Sequence, residues 1–316
     1  MNIETFIDKL SYEDRLRNHQ IYYREQQGWP YGINPYSTIA NKEYKTPESY
    51  IHNGYIVENE KNNFIDDRIY QYVKQRITNK RPEETLQPTR LLHNMLSSQP
   101  MAFNLFYPLM LMMDNGYSSA VTKVFKELFK SLPIHEVYSI GIEYIPENYG
   151  DYLNDKTAMD AVVRFKDKLG SCYFIAVEMK YTDRLGSNEA SDIVTAQRIL
   201  DEINHFKVRP LTINQIYRNY LLSEIIRIKG DAFSPNGYQD CYAWILAPEN
   251  HPTTEKEIKM MMDNLKDDFK VKYTFAKGIH LEQFAQALIN ETGIPDEYRN
   301  IYRKFDERYL PLKSSL

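Results

Sequence analysis

Hydrophobic and polar residues alternate over three short runs of this chain, at 136–145, 158–165 and 171–181. Alternation of this kind predicts β-strands, because successive side chains of a strand point to opposite faces. Gly170 lies between the second and third runs, where it predicts a hairpin. A continuous apolar run at 240–247 predicts a fourth strand of the buried kind.

Apolar residues spaced three and four positions apart predict helices on both sides of these strands. Ser98 is a candidate N-cap for the first long helix, with Pro100 in its first turn. The apolar run at 100–113 is shorter than the ~20 residues that a membrane helix needs, so it predicts a helix in a protein core. The order of helices and strands predicts an α/β layer arrangement. The predicted helices lie at 62–77, 98–113, 118–132, 191–206 and 212–228, with charged helical sequence from 253 onward.

The pattern divides the chain into three parts. Residues 1–90 form a polar, tyrosine-rich extension, helical or irregular, with a Gly- and Pro-punctuated loop at 28–37 and a charged linker at 79–89. Residues 91–250 contain the predicted strands and are expected to form the core. Residues 251–316 are expected to form a helical extension packed on that core.

Composition excludes some classes of protein. Hydrophobic residues make up 42% of the chain and charged residues 26%, which is ordinary globular usage. A net charge of −4 argues against a protein that coats nucleic acid non-specifically. A local basic face remains open, and Lys74, Arg76, Lys80 and Arg81 are its candidates, although they are equally compatible with a solvated surface.

The chain has two cysteines, too few for a disulfide framework or a four-cysteine metal site. Cys172 and Cys241 are therefore expected to be small buried residues. The first residues, MNIETFIDKL, lack the long apolar stretch of a signal peptide. These features predict a cytoplasmic protein with no membrane association.

The third predicted strand ends in a charged sequence, Glu178-Met179-Lys180. Alternate side chains of a strand share a face, so Glu178 and Lys180 are neighbours on one face, while Val177 and Met179 point into an apolar layer on the other. Asp160 lies 18 positions before Glu178, in the preceding strand. A hairpin between the two strands would bring these carboxylates together.

Two carboxylates that converge at a sheet edge suit Mg²⁺, which takes few protein ligands. A lysine beside them can orient or deprotonate a water that attacks a phosphorus, and burial near a cation would lower the pKa of that lysine. The spacing alone is equally compatible with an exposed Glu–Lys pair at the end of a strand.

This arrangement resembles the PD-(D/E)xK nuclease superfamily, the fold of many type II restriction endonucleases. Two flanking stretches, LLHNMLSSQPMAFNLF at 91–106 and QIYRNYLL at 215–222, resemble a bacterial restriction-endonuclease-like branch of it. Met159 stands where the family name has proline. The resemblance implies a restriction-endonuclease-like α/β core of helix, three strands, helix and strand, with helical additions at both ends.

The resemblance also implies the roles of individual residues. Asp160 and Glu178 would be metal ligands for Mg²⁺, with Mn²⁺ as a substitute, and Lys180 would be the catalytic lysine. An acid before or on the first strand often assists, and Glu127 and Glu143 are the alternatives. Either is also compatible with a solvated surface glutamate.

Three further polar residues are candidates for the same site. Gln215 and Arg218 share one face of a predicted helix, where Arg218 could hold a phosphate and Gln215 could bond the lysine or the scissile strand. Gln99 could face the site from a helix N-terminus, where backbone N–H groups attract phosphate. Ordinary helix-surface positions remain the alternative for each.

The implied function is a metal-dependent endonuclease that hydrolyses DNA phosphodiester bonds, of a restriction or defence type. DNA is expected because the family mostly cuts DNA. Two alternatives remain open: a catalytically inactive nucleic-acid-binding or interaction protein with the same fold, and an RNA nuclease. The sequence is compatible with a homodimer.

Overall fold

The computed structural model describes residues 10–33, 54–183 and 189–310 and contains a four-stranded mixed sheet in the order β1-β2-β3-β4. β2 is antiparallel to both β1 and β3, and β4 is parallel to β3. Gly170 has a φ of +85° in the β2–β3 connection, which confirms the hairpin. The strands are β1 (Glu136–Tyr144), β2 (Met159–Lys166), β3 (Cys172–Met179) and β4 (Asp240–Leu246), each within two residues of its prediction.

Helices surround this sheet on both faces. Among the residues described, we find no helix whose length and apolar character would allow it to cross a membrane. The helices are α1 (Tyr12–Gln26), α2 (Asp67–Thr78), α3 (Pro88–His93), α4 (Ser98–Asp114), α5 (Ser118–Leu128), α6 (Ile193–Ile203), α7 (Gln215–Lys229), α8 (Thr254–Asn264), α9 (Val271–Thr274), α10 (Leu281–Asn290) and α11 (Asp296–Tyr309).

Several predicted boundaries were wrong. Helix α2 begins at Asp67 rather than at residue 62. Asp66 is its N-cap, because the Asp66 side chain accepts a hydrogen bond from the Arg68 backbone amide. The N-cap of α4 is Ser97 rather than Ser98, although Pro100 does lie in the first turn. The loop predicted at 28–37 falls outside the described residues from position 34 onward.

The two faces of β3 enter two different apolar cores. Val177 and Met179 are buried among α4, α5, α10 and α11, while Phe174 and Ala176 pack with α6 and α7. This confirms the predicted alternation. Helices α6 and α7, which immediately follow the strand, cover the opposite face.

Both ends of the described chain hold the segment that follows β3. The Tyr12 hydroxyl donates to the backbone carbonyl of Tyr181 at 3.0 Å, and the Gln20 amide donates to the Tyr181 hydroxyl at 2.9 Å. The Tyr309 ring meets the Tyr181 ring edge-on at 5.4 Å. The terminal helices therefore share a core with the sheet and fix the residue next to Lys180. The division of the chain at residues 90 and 250 remains a prediction.

A buried ion pair ties the end of α7 to β2. The Arg164 guanidinium donates to the Asp231 carboxylate at 2.8 Å, and the two side chains are only 1% and 2% exposed. Tyr144 and Tyr238 each donate a hydroxyl to Asp231 at 2.7 Å. The Arg164 guanidinium also lies over the Phe233 ring, 3.9 Å from its centre. This cluster fixes α7 relative to the strand that carries Asp160.

We expect Asp231→Asn to lower the free energy of unfolding by about 3–5 kcal/mol, because it leaves the buried Arg164 charge unpaired. Burial raises the pKa of Asp231, but Arg164 and the hydrogen bonds outweigh it and lower the pKa overall. The stabilisation from this pair is therefore fully present above the pKa that Asp231 has in the unfolded chain. It is lost as the pH falls through the lower pKa that Asp231 has in the folded protein. Urea unfolding at neutral and acidic pH measures both effects.

Asp201→Asn is the matched control, because Asp201 pairs with Arg209 at 3.3 Å on the surface, where both side chains are more than half exposed. Its loss should change stability by less than about 1 kcal/mol. Equal effects of the two substitutions at neutral pH would contradict the assigned importance of the buried pair.

Candidate active site

Three carboxylates lie in one row across the first three strands. Asp160 lies opposite Glu178 because Ala161 pairs with Val177 in the antiparallel β2–β3 ladder. Glu143 lies opposite Asp160 on the other side, between Ile142, which pairs with Ala161, and Tyr144, which pairs with Met159. Directly opposed residues of neighbouring strands share a face, so the three side chains converge. The structure therefore brings Asp160 and Glu178 together, as predicted.

Backbone geometry contributes to this row. Glu143 has a φ of +50°, a left-handed conformation that is uncommon for a residue with a side chain. Such conformations concentrate at functional sites, where the surrounding structure enforces them. The Asp160 carboxylate accepts a hydrogen bond of 2.6 Å from the backbone amide of Met179. Asp160 is thereby fixed to the strand that carries Glu178 and Lys180.

Helix α7 supplies two amides to the Glu178 carboxylate. The Gln215 side chain donates to Oε1 at 2.6 Å, and the Asn219 side chain donates to Oε2 at 2.6 Å. The Lys180 ammonium lies 2.5 Å from Oε1 of Glu178 and donates to the Gln215 carbonyl oxygen at 3.2 Å. Gln215 thus bridges the glutamate and the lysine, one of the two contacts predicted for it.

Asn219 was not among the predicted site residues. It follows Gln215 by four positions, so both side chains lie on one face of α7. That spacing is the signal in the sequence that could have identified it.

Burial and mutual repulsion perturb the titration of this cluster. Burial raises the pKa of Glu143 to about 7, with repulsion from Glu178 adding to the effect and Gln99, Arg76 and Arg90 opposing it. Burial, and then repulsion from Glu178 and Glu143, raises the pKa of Asp160 well above its usual range.

The lysine behaves differently from the prediction. Burial alone would lower the pKa of Lys180, but attraction to Glu178 and Asp160 outweighs burial and raises it. The predicted lowering depends on a nearby cation, and the protein groups by themselves produce the opposite shift.

The carboxylates line a cavity of about 510 Å³ together with Lys180, Gln99, Gln215 and Arg218. Three further cationic side chains line the same cavity, and each is bonded to protein acceptors. Arg218 donates to the backbone carbonyl of Glu189 at 3.2 Å, and Lys156 donates to that of Pro82 at 3.0 Å. Arg90 lies at the same cavity, bonded to Ser97 and Asp183. The cations that line the cavity besides Lys180 are Arg90, Lys156 and Arg218.

Other candidates lie elsewhere. Glu127 is 62% exposed on α5 and lies 4.0 Å from Lys123, away from the cavity that Glu143 lines. Of the two alternative acids, the structure brings Glu143 to the site.

The four candidate basic contacts are not among the residues that line the cavity. Lys74 pairs with Glu60 at 3.0 Å, and Arg76 pairs with Glu84 at 2.9 Å. Lys80 and Arg81 each donate to a backbone carbonyl. Protein acceptors thus engage all four, and a basic face at 74–81 remains a prediction from the sequence.

A second group of potential ligand atoms occurs at the other end of the sheet. Glu224, Asp240 and Cys241 lie close enough together to bind a metal ion. The Lys272 ammonium bonds to Glu224 at 2.6 Å and to Asp240 at 2.5 Å, so a protein cation already neutralises these acids. Cys241 is buried, as predicted, and burial raises the pKa of its thiol, whereas Cys172 was wrongly predicted to be buried and is only partly so.

Comparison with known proteins agrees with this geometry. A family model described as the PD-(D/E)XK nuclease superfamily matches residues 8–311. The chain therefore belongs to the PD-(D/E)XK nuclease superfamily, whose members are nucleases that use divalent metal ions. Searches of curated proteins and of solved structures gave no significant match.

The residues present fit a divalent cation. Carboxylate oxygens are the ligands that Mg²⁺ prefers, and Glu143, Asp160 and Glu178 supply them from a preformed row. The raised pKa values of Glu143 and Asp160 arise partly from repulsion between these acids, which a dication would relieve.

We expect Glu143→Ala to weaken Mg²⁺ binding by at least about tenfold, because it removes one carboxylate of the row. Glu127→Ala should leave the affinity within about twofold of wild type, because its carboxylate lies outside the cavity. Calorimetric titration with Mg²⁺ alone measures both variants. A larger loss of Mg²⁺ affinity in the Glu127 variant than in the Glu143 variant would show that Glu127 is the additional acid of the site.

Proposed function

We propose that this protein is a Mg²⁺-dependent endonuclease that hydrolyses DNA phosphodiester bonds. The observation that carries the proposal is the row of Glu143, Asp160 and Glu178 across three strands, with Lys180 paired to the last of them. Superfamily membership supports phosphodiester hydrolysis as the reaction. The choice of DNA and of Mg²⁺ is our own inference.

Each residue has a chemical task in this proposal. Asp160 and Glu178 hold the cation, and Glu143 adds a third carboxylate. A bound Mg²⁺ supplies positive charge to the scissile phosphate and increases the acidity of a water at the site. Lys180 orients that water for attack on phosphorus, and Gln215 fixes the lysine because its side-chain oxygen accepts a hydrogen bond of 3.2 Å from the ammonium.

The cations of the cavity would bind the substrate backbone. Arg218 presents a planar fork that suits a phosphate, and Arg90 and Lys156 lie at the same opening. Gln99 projects from the first turn of α4, where backbone N–H groups favour an anion. The net charge of −4 restricts nucleic-acid binding to such a local surface.

The inactive binding protein is less well supported, because the three predicted catalytic side chains are all present and converge in the cavity. An RNA substrate is an outcome of the experiment below. A restriction or defence role, a cytoplasmic location and a homodimer remain predictions from the sequence.

Incubation with plasmid DNA, single-stranded DNA and RNA, each with Mg²⁺, Mn²⁺ or EDTA, tests the function. We expect cleavage of DNA with Mg²⁺, activity retained in some degree with Mn²⁺, and none with EDTA. Cleavage confined to RNA would show that RNA, not DNA, is the substrate. Cleavage that persists in EDTA would exclude the proposed metal-dependent chemistry.

Two substitutions separate the roles of lysine and acid. Lys180→Ala should reduce plasmid nicking by about 10²-fold or more, because the attacking water loses the group that orients it, while leaving Mg²⁺ binding nearly intact. Asp160→Ala should weaken both, because it removes oxygen ligands that a hard cation needs. Nicking assays beside calorimetric titration measure the pair.

Lys126→Ala, at an exposed position on α5, is the control for loss of a lysine. Nicking by the Lys180 variant at the wild-type rate would remove Lys180 from the mechanism. Unchanged metal affinity in the Asp160 variant would remove Asp160 from the ligand set.

A further inference from the structure

Asn219 holds the side of the Glu178 carboxylate that faces away from the lysine. Its amide nitrogen donates to Oε2 at 2.6 Å, whereas Lys180 and Gln215 both bond to Oε1. Donors at both oxygens restrict rotation of the carboxylate about its terminal bond. Because Asn219 is neutral, it fixes the orientation of Glu178 without cancelling the negative charge that a cation requires.

The carbonyl oxygen of the Asn219 side chain indicates that this residue does not serve the stability of the fold. Its carbonyl oxygen is buried and has no hydrogen-bond partner among the residues described. An unsatisfied buried acceptor costs about 1–3 kcal/mol, and asparagine is also a weak former of helix interiors. A leucine of similar size would avoid both costs, so the retained feature is the donor to Glu178.

The surroundings of that donor are mostly apolar. A void of about 10 Å³ lies behind Glu178 and Asn219, and its walls include Ile216, Ile245 and the Tyr273 ring. Ile245 occupies the position of β4 that pairs with Glu178 in the parallel ladder. Without the Asn219 amide, Oε2 of Glu178 would face this apolar wall.

We propose that Asn219 is a positioning residue that orients Glu178 for a divalent cation. The inference rests on the proposed function, since it takes Glu178 as a metal ligand. Residues that orient metal ligands by hydrogen bonds typically contribute 10–100-fold to metal affinity or activity, about as much as is expected here.

Asn219→Leu keeps the side-chain volume and removes the donor. Calorimetric titration with Mg²⁺ alone should give an affinity at least about tenfold weaker than wild type. At saturating Mg²⁺, kcat for plasmid nicking should fall while KM for DNA changes less than about twofold, because the substrate contacts remain. The thermal midpoint without metal serves to show that the variant folds, since removal of the unsatisfied Asn219 oxygen and loss of the donor to Glu178 have opposite effects on stability. Asn219→Gln retains a donor and should recover part of the Mg²⁺ affinity.

Ser223→Ala is the matched control, because Ser223 is buried one turn further along α7 and its hydroxyl donates to the Asn219 backbone carbonyl at 2.7 Å, not to the carboxylate. It should bind Mg²⁺ as wild type does. If the leucine variant fails to fold, Asn219→Ala replaces it, with the same expected loss of Mg²⁺ affinity.

Mg²⁺ affinity and kcat within about twofold of wild type in a folded variant without the donor would overturn the inference. An equal loss in the leucine and glutamine variants would overturn it too, because the donor would then make no difference. In both cases the wild type still binds Mg²⁺ and cuts DNA. A wild-type protein that binds neither Mg²⁺ nor Mn²⁺ would instead overturn the proposed function together with the inference.

Discussion

The constraint on which this structure depends is the cost of holding three acids together in one buried row. Burial and mutual repulsion disfavour the charged forms of Glu143 and Asp160, and their raised pKa values express that cost. The surrounding structure offsets it with specific donors: the Met179 amide for Asp160, and the Lys180 ammonium with two α7 amides for Glu178. A site that concentrates negative charge in this way is arranged for a cation.

The sequence predicted the centre of this site because two local rules were sufficient. Strand alternation put Glu178 and Lys180 on one face, and the short hairpin at Gly170 put Asp160 on the adjacent strand. Both rules act over fewer than about 20 residues, and neither depends on how distant parts of the chain pack. The same reasoning predicted all four strands and the buried layer that contains Val177 and Met179.

The remaining features depend on tertiary structure. Glu143 rather than Glu127 lies at the site because of the register of β1 on β2 and the left-handed backbone at Glu143. Residue propensities in the sequence indicate neither feature. Asn219 was missed because its importance appears only once α7 lies against β3. The wrong cap at α4 is a local error of one residue, a common uncertainty at helix ends.

The bracing of Tyr181 has a consequence for the smallest unit that could work alone. Residues 91–250 carry every acid of the row, the lysine and both amides of α7. Yet the residue after Lys180 is held by Tyr12 and Gln20 from one end of the chain and by Tyr309 from the other. A fragment made of the sheet and its nearest helices would keep the candidate ligand residues. It would lose the contacts that hold the end of β3. The terminal helices thus belong to the packing around the candidate site, and we expect a fragment trimmed to its strands to hold the right residues in the wrong places.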